Sequence, residues 1–192
     1  MTLNKDSKSD LIQTYRWLRQ YGLNDSHSGN ASIRDGQTIW ITPTGACADT
    51  LTEDELIACN LTQGPAAGAS LDAALHIQCY RENPHIKAVI HSHGPHSVGV
   101  TMDLSEYTPV DFEGQYYFQH VPVLRIDYHS YLEEAPKRVA DALKNNKLVV
   151  VSGHGVYAAA ESLNLAYKWT CSLELSAKTD LIRRMAKNNN IQ

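Results

Sequence analysis

Three apolar runs set the terms on which this chain can fold: "KAVIH" (87–91), "VPVLRI" (121–126) and "KLVVVS" (147–152). Each is too short to be a useful helix, and each is rich in Val, Ile or Leu, the signature of a buried strand. Segments with helical spacing lie around them. In "DLIQTYRWLRQYGL" (10–23) Leu11, Ile12, Tyr15, Leu18 and Tyr21 form one stripe, and Gly22 stands where a helix ends. "LDAALHIQCYREN" (71–83) reads as a helix that stops near Pro84. "EEAPKRVADALKNN" (133–146) and residues 161–187 read as two more, the last long and amphipathic. "LTEDELIACN" (51–60) opens with a capping box, Thr52 followed by Glu55, and predicts a short helix.

Strands that alternate with helices make an α/β chain. "ASIRDGQTIWIT" (31–42) adds a hairpin around the tight turn Asp35-Gly36, so the sheet is mixed or antiparallel in place of purely parallel. No repeat, low-complexity tract or linker divides the chain, and residues 1–192 are expected to form a single domain. That length buries a core without metal or disulfide staples, so any metal here is functional. The net charge is -4, with no basic cluster beyond Arg183-Arg184, which argues against nucleic acid and anionic membranes as partners. Cys47, Cys59, Cys79 and Cys171 form no CxxC pair and read as buried thiols. The polar "MTLNKDSKSD" start and the lack of an apolar stretch near ~20 residues point to a cytoplasmic location.

The chemistry collects where the strands end. In "KAVIHSHGPHS" (87–97), His91 and His93 are two apart on a strand and face the same side, a spacing that lets both hold one metal ion. His96 follows Gly94-Pro95 in a turn or first helical turn and is the weaker ligand candidate. "KLVVVS" runs straight into Gly153-His154-Gly155, where the glycines would let another group approach the backbone. Three imidazoles from two strand ends suit a catalytic zinc with one open coordination position. Asp72 starts a helix, where capping is its commonest role, and His76 lies one turn later on the same face.

These pieces, together with "SGNASIR" (28–34), "ITPTGA" (41–46), "GASLD" (68–72), "VIHSHGPHS" (89–97) and "SGHGVYAAA" (152–160), resemble the class II aldolase/adducin family, typified by L-fuculose-phosphate aldolase. The resemblance implies a three-layer α/β/α sandwich around a mostly antiparallel central sheet, assembled as a homotetramer with sites between subunits. It implies zinc, one ion per subunit, at His91, His93 and His154 with Asp72, and a substrate phosphate on Gly29, Asn30, Thr44, Gly45 and Ser70. The activity implied is that of an aldehyde-lyase: zinc draws charge onto the carbonyl of a ketose phosphate, an enediolate develops, and a C–C bond breaks to give a ketose phosphate such as dihydroxyacetone phosphate and an aldehyde.

The chain departs from the pattern in several places. Asp72 replaces the glutamate of the fuculose-phosphate aldolases and resembles the 4-epimerase branch. That branch needs a catalytic aspartate where this chain has Gln115. Leu71 replaces a second serine, and the "MAKNNNIQ" end lacks a tyrosine tail. Asp72 and Glu113 are the candidates to move a proton. Tyr128, with Tyr116 and Tyr117, is the candidate phenol for an aldehyde oxygen. Epimerase, dehydratase and keto-sugar-acid decarboxylase chemistry share the same intermediate, and an adducin-like interaction module is the non-catalytic alternative. The histidine pattern yields a direct expectation. Elemental analysis of the purified protein finds about one divalent metal per chain, and His154→Ala loses it.

Overall fold

The computed structural model describes residues 6–188; the first residues of the polar start and the last four of "MAKNNNIQ" lie outside them. Helix α1 (Lys8–Gln20) opens on Ser7, whose side chain accepts from Asp10 N–H while the Asp10 carboxylate accepts from Ser7 N–H. It buries Leu11, Ile12, Tyr15 and Leu18 and ends before Gly22, whose φ of 71° is the left-handed conformation that stops a helix.

Strands β1 (Asn30–Asp35) and β2 (Thr38–Ile41) form the expected hairpin, closing at Asp35 opposite Thr38 with Gly36 at φ 59°. The short helix expected over 51–60 is corrected. Thr52 and Glu55 do pair, N–H to Oε2 at 2.7 Å, but they cap only a single 3₁₀ turn, Glu53–Glu55. The chain then extends as β3 (Ile57–Asn60) along β2. Ile57 and Cys59 turn to the interior while Ala58 is exposed, a period of two that a helix cannot satisfy.

Helix α2 (Ala73–Glu82) leads to β4 (Ala88–Ser92), buried along its whole length, and then to α3 (Pro95–Thr101). The two-residue strand β5 (Glu106–Tyr107), α4 (Phe112–Tyr117), β6 (Val121–Leu124), α5 (Tyr131–Leu143) and β7 (Leu148–Val151) follow. Last come β8 (Gly155–Ala160) and the long α6 (Leu163–Asn188). Sequence patterning did not anticipate β8, because "GVYAAA" has little bulk; its small residues fit between β4 and β7, to both of which it pairs antiparallel.

The sheet runs β3-β2-β1-β4-β8-β7-β6-β5, and β6–β7 is its only parallel neighbour pair among the described residues. The fold is mixed α/β with a mostly antiparallel sheet flanked by helices. Successive strand residues serve two cores. Ala88, Ile90, Leu148, Val150, Val156 and Ala158 pack with residues of α1 and α6 on one face. Val89, Val149, Val151, Tyr157 and Ala159 pack with α2 and α5 on the other. Covering both faces explains why β7 is apolar throughout, and β4 as far as Ile90, instead of alternating. Ile90 has no exposed surface and lies on the central strand, so Ile90→Ala is expected to cost about 2–5 kcal/mol. Urea unfolding monitored by circular dichroism measures the loss.

Candidate metal and substrate site

The strand order brings the histidines together. In the antiparallel register β4 to β8, Ser92 faces Val156; in β7 to β8, Val151 faces Gly155. The end of β4 and the β7–β8 connection therefore meet at one edge of the sheet. One ligand nitrogen from each of His91, His93 and His154 falls within 4.8 Å of the others.

The nitrogens suit a shared cation. The Nε2 atoms of His91 and His154 are 3.0 Å apart, near the roughly 3.3 Å separating two imidazole nitrogens on one tetrahedral zinc. His91 Nδ1 lies 3.1 Å from the Val156 carbonyl; donating there leaves the Nε2 lone pair free. Burial holds all three imidazoles below their ordinary range, His93 at about 4, so they are neutral at neutral pH, as metal ligands must be. His91 is buried, His93 partly buried and His154 exposed, which leaves one side of the trio open. Gly155 makes the arrangement sterically feasible: a Cβ there would stand 2.7 Å from the His91 ring and 2.8 Å from that of His93.

Asp72 holds the cap position of α2, yet its side chain makes no capping hydrogen bond. Its carboxylate turns to the site. Oδ1 accepts from Tyr131 Oη at 2.9 Å; Oδ2 accepts from Asn30 Nδ2 at 2.9 Å and Tyr157 Oη at 3.0 Å, and lies 3.8 Å from His91 Nε2. Burial pushes this carboxyl up, but the hydrogen bonds it accepts, from Asn30 and Tyr131 among others, outweigh it and hold the group ionised, below its ordinary range. The Tyr131 and Tyr157 hydroxyls also contact one another, and burial together with Asp72 holds both phenols protonated. Tyr157 stacks on His91 with ring centres 4.0 Å apart.

The trio and Asp72 line a cavity of about 690 Å³. Gly29, Asn30, Thr44, Gly45 and Ser70 line it too, as does Tyr128, which is 89% exposed. Gly29 needs its missing side chain: at φ 68° its Cβ would lie 2.6 Å from the His91 carbonyl oxygen. Asn30 faces Asp72 as well as the cavity. Among the described residues no Lys or Arg lines the cavity.

Glu113 is not brought there. It is exposed in the first turn of α4 and is no part of the cavity wall. Tyr116 is likewise exposed, and Asp111 caps α4 through Gly114 N–H. His96 Nδ1 meets Glu174 at 2.6 Å, and His76 is fully buried against Ser32 Oγ at 2.7 Å. Sequence reasoning missed His27, His129 and Tyr131 in the wall and the roles of Tyr157 and Asn24, which accepts from His93 N–H. Tyr157 stands opposite His91 in the β4–β8 register, a relation that only strand pairing creates.

Comparisons with known proteins cover nearly the whole chain. The family profile "Class II Aldolase and Adducin N-terminal domain" matches residues 9–181. The chain is 28% identical over 183 residues to the L-fuculose phosphate aldolase of Methanocaldococcus jannaschii, covering 94% of this chain and 98% of that protein. It is 25% identical over 180 residues to the 3-oxo-tetronate 4-phosphate decarboxylase of Haemophilus influenzae, covering 89% and 85%. The crystal structure of l-fuculose-1-phosphate aldolase from Thermus thermophilus superimposes with a TM-score of 0.89 at 32% identity, over 94% of this chain and 95% of that one.

Removing the Tyr157 hydroxyl strips the buried Asp72 carboxylate of one donor. Tyr157→Phe is therefore expected to destabilise the metal-free protein by about 1.5–3 kcal/mol, read from urea denaturation.

Proposed function

The chain belongs to the class II aldolase and adducin N-terminal domain family, and from that premise we propose that it is a metal-dependent aldehyde-lyase acting on a small ketose phosphate. The observation that carries this reading is one cavity lined both by three convergent neutral imidazoles and by a neutral cradle of Gly29, Asn30, Thr44, Gly45 and Ser70. His91, His93 and His154 would hold the cation, with Asp72 close by. A divalent ion such as zinc supplies Lewis-acid polarisation of a carbonyl oxygen when bound.

The chain's own residues do the rest. Small residues and hydroxyls of the cradle take the substrate phosphate without a full positive charge. Asp72, ionised and held by Tyr131, Tyr157 and Asn30, accepts the hydroxyl proton of the carbon that becomes the aldehyde. The C–C bond then breaks, its electron pair stays with the fragment bearing the carbonyl, and the carbon left on that fragment takes back the proton that Asp72 holds, which returns Asp72 to its ionised form. Tyr128, at the cavity mouth, is the phenol that would donate a hydrogen bond to the oxygen that becomes the aldehyde's. Glu113, outside the wall in its own chain, can act only in the cavity of a neighbouring copy. A homotetramer with sites at subunit boundaries agrees with the exposed Leu71, Tyr128 and Leu132 around that mouth. The location proposed remains the cytoplasm; among the described residues no helix is long and apolar enough to cross a membrane.

A second reading, decarboxylation of a keto-sugar-acid phosphate, is favoured by the similarity to the Haemophilus decarboxylase and uses the same cavity. Screening ketose phosphates for aldehyde release, and keto-sugar-acid phosphates for carbon dioxide, separates the two. Chelation should abolish the activity and added zinc restore it. Activity that survives complete metal removal would overturn the mechanism. Asp72→Asn should lower kcat by about 10² or more, whereas Glu113→Gln should change it less than about threefold in steady-state assays.

A further inference from the structure

His91 and His93 are held by different means. His91 lies within β4, paired to Asn30 on one side and Tyr157 on the other, with its ring nitrogen on Val156 O. His93 lies past the last strand residue and before the first residue of α3, outside both hydrogen-bonding ladders. What fixes it is local. On its N-terminal side the His93 N–H donates to Leu23 O at 2.8 Å and Asn24 Oδ1 at 2.9 Å.

On its C-terminal side the holding group is one carboxylate from the middle of α6. Glu174 Oε1 accepts from His96 N–H at 3.0 Å and from His96 Nδ1 at 2.6 Å. Glu174 Oε2 accepts from Ser97 N–H at 2.9 Å and Ser97 Oγ at 2.8 Å. These are the N–H groups that open α3. Gly94, in the cap position, has no side chain to satisfy them, and a Cβ there would collide with the Glu174 carboxyl carbon at 2.8 Å. Glu174 thus supplies the missing cap from another element, and at 14% exposure its four bonds are largely shielded from water.

We infer that Glu174 is a positioning residue that fixes the 93–97 turn from α6 and thereby holds the His93 imidazole in place toward His91 and His154. The inference rests on the reading of these histidines as metal ligands. It makes α6 a strut for the site, with Glu174 acting on the metal only through His93.

The test titrates Co²⁺ into the metal-free full-length protein, following its visible absorption bands, with Zn²⁺ competition for tight binding and thermal melting alongside. In Glu174→Gln the amide NH₂ of the new side chain faces donors it cannot accept from. The expected result is a Co²⁺ Kd about 10–100-fold weaker with altered absorption bands in a protein that still melts cooperatively. Leu163→Ala, a core truncation at the start of α6, serves as the control. It should lower Tm yet leave the Kd within about twofold, since effects of distant sites are nearly independent. Should Glu174→Gln fail to fold, Ser97→Ala removes one of the four bonds and is expected to weaken Co²⁺ in the same direction by a smaller factor. An unchanged Kd and spectrum in the folded variants would overturn the inference and leave the metal site standing. Wild-type protein without stoichiometric Co²⁺ binding would overturn both.

Discussion

The antiparallel register of β4 between β1 and β8 is the constraint on which the site depends. It sets Asn30 and Tyr157 on either side of His91, and it delivers the β7–β8 connection carrying His154 to the edge where β4 ends. A slip of one residue would turn His91 to the opposite face of the sheet and bring Ile90 or Ser92 into its place. The two hydrophobic cores guard that register, because Val89 and Ile90 are fully buried on opposite faces and neither can exchange sides without exposing apolar surface.

Around that frame the polar groups solve a burial problem together. An ionised carboxylate this far from water is costly alone, and Asp72 is satisfied by two phenols and an amide from three different elements. The neighbouring imidazoles meet the same low-dielectric surroundings by staying neutral. The result is one anionic carboxylate beside a cluster of uncharged nitrogen donors, an arrangement that attracts a cation without requiring folding to bury one. The same cavity is also lined by glycines, hydroxyls and an amide, and these suit an anionic group presented by a bound molecule.

The outer helices do more than cover the sheet. Helix α2 carries Asp72 at its start, α5 contributes Tyr131 at its own, and α6 reaches the turn after β4 through Glu174. Each places a polar group on the site from an element whose apolar residues are anchored in a core. Precision is thereby drawn from packed helices and not from loops, although His93 and His154 themselves lie just beyond strand ends.

Much of this was legible in the residue order. The apolar runs marked β4, β6 and β7, Asp35-Gly36 marked the hairpin, and the two-residue spacing put His91 and His93 on one side, because strand and turn preferences are local. Gly29, Asn30, Thr44, Gly45 and Ser70, which the family resemblance assigns to a substrate phosphate, all line the cavity. Other features were decided only by the tertiary structure. Strand β8 is recognisable by its two neighbours and not by its own alanines. Ile57–Asn60 is a strand because β2 offers it an edge. The Asp72 carboxylate serves the site instead of capping its helix because Tyr157, 85 residues away, and Tyr131, 59 away, reach it. Glu113 stands apart from the cavity because α4 exposes it. Local preference settles which backbone shapes a segment can take. Which side chains then meet depends on strand register and helix placement, and those follow from burying two cores at once.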